Sequence, residues 1–213
     1  MIISLENRYI YIAVPKTGTT SVQKFLLAND KTACKNAITI DGKKYRFKEH
    51  MTALEIKEVL GEHYPKFKTI GFIRHPYGRI VSSYNFYRQG AKGWAWKGRE
   101  KQRPLTQKIK ILFARYCPFY LWSVLYPYKS NIEYFVNEKN ETIVDKIGLF
   151  ENLKVDFSEF FRNLDIEIDK LPHTNRSNHK EEASYFNNRM FRWLINIKIA
   201  KDYRFYHLIP NQK

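Results

Sequence analysis

The stretch that most constrains this chain runs from Arg8 to Ser21, RYIYIAVPKTGTTS. Tyr9 to Val14 is mostly β-branched and aromatic, the composition of a buried strand. Pro15 ends it, because proline removes a ladder donor. Val22, Phe25 and Leu26 then recur at helical spacing, which predicts a helix over 21–28. Between strand and helix lies a short turn with Lys16, Gly18 and the hydroxyls of Thr19, Thr20 and Ser21. Glycine permits a tight turn or a close ligand approach. The first amides of the next helix point outward unpaired, and the helix dipole favours an anion there. Lys16 adds a point charge and the hydroxyls add donors. The segment therefore reads as an anion cradle. It is not the nucleotide-triphosphatase loop, in which the lysine follows the last glycine. Here the lysine precedes it, and no acidic strand end offers itself to magnesium.

A second segment repeats this logic. Lys68 to Ile73 predicts a strand that stops at Arg74-His75-Pro76, with Pro76 placed as an early helical residue. Tyr77 to Tyr87 predicts a helix with Ile80, Val81 and Tyr84 on one side. Arg74 supplies a planar donor fork, and Ser82 is placed to reach the same anion from the helix. Arg79, one turn before Ser82, either joins it or pairs with a carboxylate. In parallel α/β sheets ligands gather at the carboxyl ends of strands. Two anion sites at two strand ends suit one ligand with phosphates at separated positions.

Elsewhere, Ile38–Ile40, Asp41-Gly42 and Tyr45–Phe47 predict a hairpin. Thr52-Ala-Leu-Glu55 is a capping-box pattern opening a helix to Leu60, so His50 and Met51 immediately precede a helix start. Helices are predicted over 105–116, 119–126, 153–164 and 188–200, a returning strand over 143–150, a polar loop over 171–180 and a packed tail over 203–208. Strands alternating with helices predict an α/β layer fold with a mainly parallel central sheet. The chain is expected to be a single domain over 1–213, with 88–128 a basic helical insertion or substrate-facing lobe. The apolar share is 44% and the aromatic share 16%, which excludes a disordered chain. The net charge of +16 calls for an anionic partner: cofactor, polyanionic substrate, nucleic acid or membrane surface. Cys34 and Cys117 have no metal-like or disulfide-framework spacing and fit a reducing compartment. No signal peptide or membrane span is read, so a cytoplasmic protein is expected.

The ordered pair VPKTGTTS and IRHPYGRIVSSYNFY resembles the sulfotransferases that use 3′-phosphoadenosine 5′-phosphosulfate, PAPS. It is similar above all to the carbohydrate, heparan- and chondroitin-type branch. Phe150-Glu-Asn-Leu153, Asn175-Arg176-Ser177 and Ala200-Lys-Asp-Tyr203 extend the resemblance along most of the chain. It implies a three-layer, P-loop-like fold and transfer of a sulfuryl group to an acceptor hydroxyl on a carbohydrate. Adenosine 3′,5′-bisphosphate would be the product. The 5′-phosphosulfate falls on Lys16, Thr17, Gly18, Thr19, Thr20 and Ser21. The 3′-phosphate falls on Arg74 and Ser82, with Arg176 closing over the nucleotide.

Such a transfer needs alignment and positive charge where leaving-group charge develops. Lys16 meets the second need without a metal. The acceptor hydroxyl also needs a base. His50 is the first choice, since imidazole titrates near working pH; the family uses a histidine or glutamate in this interval, so Glu49 is the alternative. Arg88, Lys92, Trp94 and Trp96 are the candidate acceptor contacts: cations for acidic groups, indoles for a sugar face. Two other classes stand beside this one. A P-loop-like nucleotide or small-molecule kinase conflicts with the lysine placement. A nucleic-acid-binding protein is allowed by charge, but no nucleic-acid motif supports it.

Overall fold

In the computed structural model the described residues are 1–90, 105–166 and 182–209. They fall into two compact units. The first takes its described residues from Met1–His75, Lys129–Asn175 and Arg204–Lys213; the second takes them from Pro76–Tyr128 and Arg176–Tyr203.

The first unit is built on a five-stranded sheet. Its strands are β1 (Ile2–Ser4), β2 (Tyr9–Ile12), β3 (Ala33–Cys34), β6 (Lys68–Ile73) and β7 (Lys146–Leu149), in the order β3-β1-β2-β6-β7. β2, β6 and β7 run parallel, pairing Ile12 with Gly71 and Ile73 with Leu149. β1 and β3 are antiparallel additions at the other edge. The sheet is thus mixed, which corrects the expectation of a mainly parallel one. The reason is local: Ile2–Ser4 is three residues long and turns straight back into β2, a hairpin rather than a helical crossover.

Strand alternation sends two sets of side chains to two faces. Tyr9, Tyr11, Ile70 and Phe72 pack with Val22, Phe25 and Leu26 of α1 (Thr19–Asn29) and with Phe157, Phe160 and Phe161 of α6 (Leu153–Arg162). Ile3, Ile10, Ile12 and Ile73 pack with Ala53, Ile56 and Leu60 of α2 (Ala53–Leu60), with Phe135 and with Phe205. Ile38 and Tyr45 of the hairpin β4 (Ala37–Ile40) and β5 (Lys43–Arg46) close that second layer. The capping box of α2 forms as read: the Thr52 hydroxyl accepts from the Glu55 amide, and the Glu55 carboxylate accepts from the Thr52 amide at 2.6 Å.

The second unit is helical among its described residues: α3 (Pro76–Gly90), α4 (Leu105–Tyr116), α5 (Phe119–Leu125) and most of α7 (Arg189–Leu208). Its core joins Ile80, Val81 and Tyr84 to Trp122, Ile195 and Ile199. A tail over 203–208 is not seen as a separate piece, since α7 continues through it. Buried Asp202, an awkward residue in a helix interior, is satisfied by Arg79 at 3.5 Å and by the Tyr128 hydroxyl. No helix among the described residues is long and apolar enough to cross a membrane. Both cysteines are free.

Candidate functional site

Three parallel strands of the first unit end side by side, and each end opens into a segment of the site. β2 leads to the Lys16 turn, β6 to Arg74-His75 and β7 to the turn Phe150–Asn152. The sheet topology therefore gathers these segments at the carboxyl edge where α/β proteins hold ligands.

The first turn is tightly specified. Lys16 has φ of 71° and Gly18 φ of 75°, both in the left-handed region. That conformation is costly for a lysine, and such strain gathers at functional sites. Gly18 is the N-cap of α1 and makes no side-chain cap bond, and the first turn holds no acid. Nothing in the helix's own first turn thus neutralises its positive end. A Cβ on Gly18 would sit 3.0 Å from Cε2 of Phe150 and 3.2 Å from Cδ2 of Leu153. The Thr17 and Thr19 hydroxyls both donate to the Val14 carbonyl, at 2.9 and 2.6 Å. They tie the turn to the strand end. Thr20 is exposed and Ser21 buried.

The electrostatics are those of an anion site. Lys16 is half-buried, and burial first, then the Arg74 charge, bring its ammonium down to about 8. Two cations held close enough to oppose each other are stabilised by an anion between them. The Arg74 guanidinium lies 4.7 Å from the centre of the Phe150 ring, a cation–π contact. Phe150 thus touches both the Gly18 turn and Arg74. Behind it, Glu151 accepts from the His75 amide at 3.0 Å and from the Tyr206 hydroxyl at 3.1 Å, and the His75 ring stands edge-on to Tyr206. The Arg74–His75 turn is pinned through its backbone from the end of β7.

His50 joins the same place. It has φ of 60°, two residues before the N-cap of α2, and its Nδ1 lies 2.7 Å from the Ala13 carbonyl oxygen. A carbonyl only accepts, so Nδ1 carries the proton and Nε2 keeps its lone pair in the neutral ring. The adjoining Glu49 is committed elsewhere, to Lys35 at 3.2 Å. Burial works against its charge, but the Lys35 hydrogen bond and charge, helped by His50, hold its carboxyl below the usual range. No group of three His, Cys, Asp or Glu among the described residues is placed to hold a metal ion.

The remaining candidates divide. Ser82 and Arg88 belong to the second unit. Ser82 is buried on α3, and Arg79, one turn before it, is taken by Asp202. Arg88 bonds the Tyr84 hydroxyl at 3.3 Å and lines an open cleft of about 630 Å³ with Arg115, Tyr120 and Tyr185. Lys92, Trp94, Trp96 and Arg176 lie outside the described residues, as does the loop expected over 171–180. Phe150 as the contact between the two turns is absent from the sequence reading. Aromatic residues read as core, and only the Phe150–Leu153 resemblance marked this one.

Comparison with curated proteins and with solved structures gives no match. The profile of the Sulfotransferase family matches residues 1–206, a span that takes in the Lys16 turn, His50, Arg74 and Phe150 alike. A match over so much of the chain, on a mixed α/β sheet with a cation-lined edge, places this protein in the Sulfotransferase family.

Proposed function

We propose that this chain transfers a sulfuryl group from PAPS to an acceptor hydroxyl, with a carbohydrate as the acceptor. The observation that carries the reading is the opposed pair Lys16 and Arg74 at one strand edge, beside a helix start without an acid. PAPS fits that edge because it brings anionic groups to two separated points. When bound, it supplies the sulfuryl group and a phosphate leaving group.

In this reading His50 takes the acceptor hydroxyl proton at Nε2, its other nitrogen being held by Ala13. Glu49 is the weaker candidate base, since Lys35 holds it ionised and engaged. Lys16 and the amides at the start of α1 meet the charge that develops on the phosphate as its bond to sulfur breaks. Thr20 and Ser21 donate hydroxyls, while Thr17 and Thr19 hold the turn's shape. Arg74 receives the 3′-phosphate, with Ser82 and Arg176 as further contacts. Arg88 is the acceptor contact among the described residues, in its tyrosine-lined cleft, and Lys92, Trp94 and Trp96 are the further candidate acceptor contacts. The whole chain acts as one catalytic domain over 1–213, with 88–128 as its acceptor-facing lobe, on a three-layer P-loop-like plan.

Calorimetric titration with adenosine 3′,5′-bisphosphate tests this, with 5′-AMP and ATP as comparisons. Selective binding of the bisphosphate is expected. Arg74→Ala should remove the preference over 5′-AMP, and Lys16→Ala should weaken all three. His50→Gln should keep nucleotide affinity and lose sulfuryl transfer by about 100-fold or more. Equal binding of ATP, or none of the bisphosphate, rejects the reading.

A further inference from the structure

The second unit carries an apolar stripe that its own core does not use. Leu105, Ile109, Leu112 and Tyr116 follow one another along α4 at four-, three- and four-residue steps, so they share a face over three turns. All four are 50–74% exposed, while Ile111 and Ala114 of the same helix are buried. Met190, Trp193 and Ile197 form a second such stripe on α7, at 59–62% exposure. The charges on α4 are Lys108, Lys110 and Arg115, and α5 has none. Among the described residues of this unit the acids are Glu182 and Asp202, and Asp202 is buried against Arg79.

Exposed leucine, isoleucine and tryptophan whose flanking charges on α4 are all positive suit few partners. A nucleic acid would use the charges but leave the leucine and isoleucine in contact with phosphate. A second copy of this face would set lysine and arginine against lysine and arginine. An anionic bilayer surface uses both features: acyl-chain boundary for the stripe, headgroup charge for the cations. We propose that the second unit docks on anionic membrane surfaces through α4, lying in the interface with Leu105, Ile109 and Leu112 inserted and Lys108 and Arg115 on the headgroups. Such a helix lies on the membrane and does not cross it. The stripe on α7 is apolar as well and includes Trp193, a residue suited to the headgroup boundary.

The test is cosedimentation of the full chain with phosphatidylcholine vesicles, with and without phosphatidylserine. The protein should pellet with the serine-containing vesicles and remain in solution with the others. Ile109→Asp/Leu112→Asp should lower partitioning at least about tenfold. Lys108→Ala should lower it about fivefold. These positions are on the surface, so circular dichroism and bisphosphate binding should match the parent. Equal pelleting with both vesicle types, no pelleting with either, or unaltered pelleting of the Asp variant overturns the proposal. So does a dimer, seen by light scattering, that the Asp variant loses, since the stripe would then belong to a second copy.

Discussion

Lys16 carries the clearest cost in the molecule, a left-handed backbone and a cation opposed by another. Its folded value near 8 lies below the ordinary one of about 10.4. Between those values the unfolded chain binds a proton that the folded chain does not, so stability rises with pH across that window. Below it both states are protonated and the cost of the buried charge is fully present. Lys16→Met should therefore stabilise the unliganded protein at pH 7 by about 1 kcal/mol while losing bisphosphate affinity. Thermal melts and calorimetry at the same pH check both halves. The parent's affinity should fall as pH passes 8, and the variant's should stay flat. Gly18 makes the second prediction at this scale. Gly18→Ala meets both a φ of 75° and the Phe150 ring, so a loss of about 2 kcal/mol is expected. Adding Phe150→Leu should recover only the steric part, because the backbone cost remains. Lys16 and Gly18 were legible in the sequence because residue type and order alone carry that signal. Phe150 was not, because its meaning is a contact across 132 positions with Gly18.

At the scale of elements, legibility followed length and punctuation. β6 and α4 stand at the boundaries read from the sequence, each a periodic run with a clear stop. β1 and β3 did not stand out, being three and two residues long. Their antiparallel pairing turned an expected parallel sheet into a mixed one. α7 runs on to Leu208, past the end at 200 that the sequence predicts, and Asp202 is held inside it by Arg79 and Tyr128. The turn after β7 yields the prediction proper to this scale. Glu151 binds the His75 amide and the Tyr206 hydroxyl with separate oxygens. Glu151→Ala frees the Arg74–His75 turn and should weaken bisphosphate binding by about 1 kcal/mol, with little change toward 5′-AMP. Glu151→Gln keeps one accepting oxygen and should fall between. Equal losses on both nucleotides would mean that Glu151 supports the whole edge rather than the Arg74 turn.

Across the whole molecule the dominant fact is the net charge of +16, legible at once and ambiguous at once. Composition cannot say where the charge sits; the division into units does. The second unit has Glu182 and Asp202 as its described acids against Arg79, Arg88, Lys108, Lys110, Arg115, Arg189, Arg192, Lys198 and Lys201. Like charges at that density raise the free energy of the compact state, and salt relieves them once the Debye length falls to about 10 Å at 0.1 M. The apparent Tm should therefore rise as sodium chloride goes from a few millimolar to physiological strength. Two sources of that rise are separable. Chloride occupying the Lys16–Arg74 edge would stabilise by mass action at one site, and Lys16→Met would abolish the gain. Relief of general repulsion would persist in Lys16→Met and diminish when Arg189 and Arg192 are changed to glutamine. The second pattern is expected, because the repulsion is summed over many residues of the second unit while the edge contributes two. A Tm that falls with added salt would instead mean that attractive pairs such as Lys68–Asp145 and Lys146–Glu159 outweigh the excess positive charge.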